Sequence, residues 1–205
     1  RNVALISPRR LGKSGLLHHT FAQTRIIEGY IPIYIDIYAT KNLTEFAKTL
    51  AEGIIRGVRA EEGWTEKVMR FLKSLRVGFK VDPMTGSTSF EIGIGDIEDP
   101  DKTIREAFEY IENCGKPCIL AIDEFQQIRE YPETNTEAFI RTLVQQCSKT
   151  RFIFCGSKRH MMTDIFYSPS KPFLQSVINQ SLKPIPMDTY IEFAGRLFAE
   201  RGKFI

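Results

Sequence analysis

No apolar run in this sequence approaches about 18 residues, the length at which a segment becomes a candidate membrane span, and no charged-then-apolar leader precedes the first apolar segment. There is little net charge: 28 basic against 25 acidic side chains leave +3 with histidines neutral, too small a surplus to imply nucleic acid by itself. The four cysteines contain no C-x2-C pair. Cys114 and Cys118 lie four apart, but Pro117 breaks any helix that would bring them to one face. That argues against zinc, and reduced thiols suit a cytoplasmic protein. Also missing are an internal repeat, a low-complexity tract and the N-K-x-D pattern that reads guanine.

What is present is ordinary in bulk. The 42% hydrophobic and 26% charged fractions exclude disordered and collagen-like chains. A chain of 205 residues buries about 70% of its extended surface and needs no disulfide or metal staple. The charge distribution is less even. Arg1, Arg9, Arg10, Lys13 and Arg25 come before any acid, while the stretch from Glu98 to Glu112 leans acidic. The chain starts at Arg1 directly before an apolar run, and is expected to be the ordered part of a longer protein.

Short apolar runs at Val3–Ile6, Ile31–Ile37, Cys118–Ile122 and Arg151–Cys155 read as strands buried on both faces, with Val177–Leu182 as a fifth. Between them, helical spacing marks Gly15–Ile27, Leu43–Val58, Thr65–Leu75, Asp101–Asn113, Glu137–Gln146 and Thr189–Glu200. The segment Arg76–Gly95 departs from this. Val77, Phe79 and Val81 alternate, a turn-forming Asp82-Pro83-Met84-Thr85-Gly86 follows, and Phe90, Ile92 and Ile94 alternate again, which predicts a β-hairpin. Strands alternating with helices predict an α/β fold, a parallel sheet covered on both faces, whose ligands bind beyond the carboxyl ends of the strands.

Chemistry-bearing residues fall at those ends. Ser7-Pro8-Arg9-Arg10-Leu11-Gly12-Lys13-Ser14, followed by Gly15, joins the first strand to the first helix. It fits the phosphate-binding loop G-x-x-x-x-G-K-[ST] with serine in place of the first glycine. Loop amides and the helix N-terminus make a partly positive nest, Gly12 allows close approach, Lys13 reaches the β and γ phosphates, and Ser14 can hold Mg²⁺. Serine can fill the first position if its φ is negative. Four apolar residues then lead into Asp123 and Glu124. Two carboxylates at a strand end are costly unless a cation faces them, so Asp123 is the candidate Mg²⁺ ligand and Glu124 the candidate to polarise an attacking water. Ser157, after the Arg151–Cys155 strand, either contacts the γ-phosphate or the water, or caps the next helix. His160, His18 and His19 read as structural or surface residues.

The runs SPRRLGKSGLL, YIDIY, ILAIDEFQQI, FIFCGSKRHMM and KPFLQSVINQSLKPI resemble, over nearly the whole chain, the archaeal-type ATPases of the AAA+/STAND lineage. The resemblance implies Lys13 and Ser14 as Walker A residues, Asp123 and Glu124 as Walker B and Ser157 as sensor 1. It also implies a P-loop NTPase three-layer sandwich whose five-stranded sheet has the sensor strand between the P-loop and Walker B strands. The core would cover 1–186 with a hairpin insertion at about 76–95, and 187–205 would begin a helical lid. Many relatives carry Gly-Arg after the Pro-Phe pair, where this chain has Leu174-Gln175-Ser176, so an arginine sensing the γ-phosphate is missing there. Arg159, Lys171 and Arg196 are candidate substitutes.

The expected function is Mg²⁺-dependent ATP binding and hydrolysis coupled to conformational change, slow in isolation. The alternatives are a nucleotide switch that rarely turns over, or the ATPase part of a DNA-handling protein, although no basic, aromatic-interleaved stripe supports DNA within this chain. Expected partners are ATP and ADP, other domains of the same longer chain, and a protein reached through the hairpin. The preference for adenine rests on the resemblance alone.

Overall fold

The computed structural model describes residues 1–27, 29–62, 78–81, 88–93, 97–169 and 171–203. In chain order the elements are β1 (Asn2–Ile6), α1 (Lys13–Ile27), β2 (Ile31–Asp36), α2 (Leu43–Glu62), β3 (Gly78–Val81), β4 (Thr88–Gly93), α3 (Pro100–Glu112) and β5 (Cys118–Asp123). A 3-10 turn over Phe125–Glu130 follows, then α4 (Thr136–Gln146), β6 (Arg151–Gly156), α5 (Arg159–Tyr167), β7 (Val177–Gln180) and α6 (Met187–Glu200). Five strands form one sheet in the order β2-β5-β6-β1-β7, with every pairing parallel. β6 therefore lies between β1 and β5, the arrangement that the resemblance implies.

Strand periodicity divides the sheet into two unequal faces. Ile31, Ile33 and Ile35 of β2, Leu120 and Ile122 of β5, and Phe152 and Phe154 of β6 join the buried side chains of α2, α3, α4 and α5 in one large core. The alternate residues meet α1 in a much smaller cluster of Leu5, Leu17, Phe21, Ala121 and Cys155, with Tyr34, Ile119 and Ile153 only partly covered. Among the described residues, burial is thus heavy on one face and light on the other.

On the heavy face, Phe125, Phe154, Phe166 and Phe173 are fully buried. Their rings pack at 4.5 Å (Phe125–Phe154), 5.3 Å (Phe154–Phe166) and 5.3 Å (Phe166–Phe173) between centroids, which suits edge and offset aromatic contacts. This cluster underpins the 3-10 turn that follows β5. α2 approaches β2 through Gly53, where an added Cβ would stand 2.1 Å from Ile35 Cγ2; only glycine permits that spacing. α3 begins where local chemistry demands. Asp99 caps it by accepting from the Lys102 amide at 2.9 Å, and Pro100 occupies the first turn, where its missing N–H does no harm.

β3 and β4 pair antiparallel, Gly78 opposite Gly93 and Val81 opposite Thr88, with an irregularity between Gly78 and Lys80. The hairpin turn at 82–87 and the helix expected at Thr65–Leu75 lie outside the described residues. Two elements lie outside the helices read from spacing, the 3-10 turn and α5; the alternative reading of Ser157 allowed a helix at α5, whose Met162, Ile165 and Phe166 are buried, but its N-cap is Lys158 with no side-chain bond. α6 covers the expected terminal helix, but none of its residues is buried. Tyr190, Ile191 and Phe193 are 55%, 59% and 48% exposed.

Candidate functional site

The loop from Ser7 to Gly12 leaves the carboxyl end of β1 and turns directly into α1. Ser7 is fully buried and outside the left-handed region, so serine meets the condition set for this position. Its amide donates to the Gly156 carbonyl at 3.3 Å, and its hydroxyl accepts from the Leu182 amide. The replaced glycine thus gains a task, tying the loop to the residues just past β7. Arg10 and Gly12 take positive φ, 66° and 79°. Pro8, Arg9, Gly12, Ser14 and Gly15 are exposed and Leu11 is half-buried.

Lys13 is buried as Ser7 is, 7% exposed. Its ammonium donates to the carbonyl oxygens of Ser7 at 2.8 Å and Pro8 at 3.0 Å. The charge is therefore held inside the curl of the loop by neutral acceptors, which an anion would outcompete.

Asp123 ends β5 and is 3% exposed. Ser14 Oγ donates to its Oδ2 at 2.7 Å, Tyr34 Oη donates to the same oxygen at 2.9 Å, and the Glu124 amide donates to Oδ1 at 3.0 Å. Glu124 itself takes a left-handed backbone, φ 55° and ψ 39°. That turns its side chain toward β6, where Oε2 accepts from Ser157 Oγ at 2.8 Å and from Gln126 Nε2. Arg9 Nε reaches Ser157 Oγ at 3.5 Å, so loop, Ser157, Glu124 and Gln126 form one chain of contacts. Gln126, 2% exposed, and Tyr34 are the members that sequence reading missed. Both lie in runs already singled out, YIDIY and DEFQQ, but only tertiary register brings them to the carboxylates.

The concentration of acid leaves its mark on neighbouring groups. Burial, then the Asp123 charge, pushes the Tyr34 phenol up. The same two causes raise the Cys155 thiol, so it stays protonated. Asp36, level with Asp123 on the adjoining strand, is raised by burial and by the Asp123 and Glu124 charges, against the lowering bond from the Tyr38 amide.

The donor set suits a hard cation. Ser14 and Asp123 present oxygen ligands, and Mg²⁺ takes one or two protein oxygens and completes its shell with water and phosphate. A cavity of about 420 Å³ beside the loop is lined by Ile6, Pro8, Arg159, Thr163, Asn179 and Leu182 among others, within the size range of small-molecule sites, about 300–1,000 Å³.

The candidate arginine substitutes are distributed differently. Arg159 lines that cavity. Lys171 pairs with Glu137 at 3.6 Å and Asp164 at 4.0 Å, and Arg196 lies over the Phe193 ring of α6. Gln175 has φ 55°, the region that favours glycine, at the place where the resemblance puts Gly-Arg. His160 and His19 are exposed, and His18 packs its ring against Tyr34 at 4.6 Å.

A five-stranded parallel sheet in the order β2-β5-β6-β1-β7, covered by helices, is the fold of the P-loop NTPase structures it matches. Solved structures with this fold include the Walker-type ATPase PABY2304 of Pyrococcus abyssi, at 21% identity and a TM-score of 0.62 over all of this chain and 54% of that one. Cdc6p of Pyrobaculum aerophilum matches at 12% identity and TM-score 0.52, over 95% of this chain and 41% of its own. The ORC2 protein of Aeropyrum pernix, solved as ADPNP–ADP complexes, matches at 15% and 0.52 over 96% and 45%. The chain therefore spans about half the length of the solved structures it matches. No protein-family model and no curated protein matches the sequence. No helix among the described residues is long and apolar enough to cross a membrane.

Proposed function

We propose that this chain is a Mg²⁺-dependent ATPase module that couples nucleotide state to conformational change. The observation that carries the proposal is the 2.7 Å bond from Ser14 to the buried Asp123 carboxylate. It joins the first turn of α1 to the end of a strand two places away in the sheet, beside a buried lysine. Neither a basic turn nor a strand-end cap needs that convergence. The ADPNP–ADP complexes of the ORC2 protein support adenine as the base.

In this scheme Lys13 leaves the Ser7 and Pro8 carbonyls for phosphate oxygens, and the loop amides and the N-terminus of α1 complete the cradle. Ser14 and Asp123 hold the cation, which when bound neutralises charge on the β and γ phosphates. Glu124 accepts a hydrogen bond from the attacking water. Ser157 and Gln126 fix the direction of its carboxylate, and Arg9 adds a cation at the mouth. The ATPase core covers 1–186, and 187–205 begins a lid.

A nucleotide switch with rare turnover is the second reading. Gln175 and Ser176 stand where an arginine would stabilise transition-state charge, a contribution of about 10³–10⁵ in rate. Turnover below about 1 s⁻¹ is accordingly expected.

Calorimetric titration with Mg-ATP, together with phosphate release, tests the assignment on wild type and Lys13→Ala. Wild type should bind and hydrolyse, and the variant should lose about 2–5 kcal/mol of binding, the loss seen when one partner of a buried charge pair is removed. Equal affinities would remove the proposal.

A further inference from the structure

We propose that Tyr34 is the positioning residue that aims the Asp123 carboxylate for metal binding; this rests on the Mg²⁺–nucleotide reading above and deepens it. β2 lies at the edge of the sheet beside β5, with Tyr34 level with Ala121 and Asp36 level with Asp123. Tyr34 therefore starts two residues short of Asp123 on the α1 face, and its phenol ring spans the gap to place the hydroxyl 2.9 Å from Oδ2. The small Ala121 packs in the same cluster as this ring, where a larger side chain would stand in its lane.

The three donors to Asp123 come from three places: Ser14 in α1, Tyr34 in β2, and the Glu124 amide just beyond β5. Their roles are not equivalent. The Glu124 amide is part of the backbone that carries Asp123. Ser14 is a metal ligand in the proposed scheme, so its hydroxyl is committed to the cation. Tyr34 alone is a side-chain donor outside the proposed metal shell, and its hydroxyl also interacts with the Ser14 hydroxyl. The terminal torsion of an aspartate is broad and weakly fixed by itself, so an orienting donor is what sets its oxygens. The ring is fixed in turn by His18, 4.6 Å away and tilted by 49°. An outer partner of this kind acts on the metal through its ligand, and losing one typically costs 10–100-fold in metal affinity or activity.

The test is Tyr34→Phe, which removes the hydroxyl and keeps the ring. Two quantities are measured beside wild type: ATP affinity in EDTA, and Mn²⁺ binding to the nucleotide-loaded protein by paramagnetic resonance, with a Mg²⁺ titration in parallel. The expected result is a cation half-saturation about tenfold or more above wild type, with ATP affinity in EDTA and the melting temperature little changed. A half-saturation equal to wild type in the folded variant overturns the proposal and leaves Tyr34 a packing residue, while the ATPase reading stands. Loss of metal-free ATP binding in parallel with cation binding also overturns it, since an orienting role acts on the cation alone. Should Tyr34→Phe fail to fold, His18→Ala loosens the ring without touching the hydroxyl and is expected to raise the half-saturation by a smaller factor; no change there overturns the proposal. Wild type whose nucleotide binding ignores both cations would sink the parent reading itself.

Discussion

Glu124 pairs an unfavourable backbone with a fully engaged side-chain oxygen. A non-glycine residue at φ 55° carries about 1–2 kcal/mol of local strain, and such strain persists only where the surroundings over-determine it. Here Ser157 and Gln126 hold the carboxylate, while the phenylalanine cluster beneath holds the turn. Glu124→Gln keeps the size and removes the charge. It is expected to leave nucleotide affinity intact and to lower turnover by about 10²–10⁴-fold, the range for a positioned acid or base. Single-turnover hydrolysis measures this, and a variant that cleaves ATP at the wild-type rate would release Glu124 from the role. At this scale legibility in the sequence depended on distance along the chain. Ser7 to Ser14 is contiguous and Asp123-Glu124 adjacent, so spacing alone drew attention to them. Tyr34 and Gln126 act across 89 residues and across a tight turn, and no local pattern encodes either contact. Gln175 is an intermediate case: a glycine expected from resemblance is replaced, yet the backbone retains the glycine-like φ.

One side chain makes most of the hydrogen bonds that join α3 to the lead into β6, beside a bond from the Thr150 hydroxyl to the Ile111 carbonyl. Glu112, the last residue of α3, accepts from the amides of Ser148, Lys149 and Thr150 and from the Ser148 hydroxyl, at 2.7–3.0 Å. Burial would raise its carboxyl, but the bonds from Thr150, Lys149 and Ser148 prevail and bring it down to about 2. A depressed folded-state value means the clamp contributes stability above the unfolded value of about 4.3 and loses it as pH falls toward 2. Glu112→Gln should therefore cost about 1–3 kcal/mol at neutral pH, the worth of hydrogen bonds to a charged group. Its stability gap to wild type should shrink as pH falls below about 4 and close only toward pH 2. Urea melts of both proteins between neutral pH and pH 2.5 check this, and a constant gap would contradict it. Among the elements, strands and long helices were legible because period-2 and helical spacing are local. The 3-10 turn and α5 were not, because one is held by ring packing beneath it and the other follows a polar stretch that draws the eye to chemistry. The clamp was invisible for the same reason as Tyr34: its acceptor and donors lie 36–38 residues apart.

At the scale of the molecule, a parallel sheet with its site at the carboxyl edge followed from alternating strands and helices, while the place of β6 between β1 and β5 was implied by the resemblance alone. The unequal covering of the two faces followed from neither, since a both-faces-buried strand and a lightly covered one both read as short apolar runs. That inequality has a consequence for how the protein breathes. Sub-global opening follows buried apolar contact, so α1, resting on Leu17 and Phe21, should detach at lower free energy than α2 or α4 on the large core. Amide exchange on the free protein should then show α1 less protected than α2 and α4, and Mg-ATP should slow exchange in α1 far more than in α4; equal protection of both faces would contradict this. α1 opens with the phosphate loop. Part of the binding free energy would therefore be spent on holding α1 closed, and the affinity for nucleotide would fall as temperature or denaturant loosens that helix, well before the core itself melts.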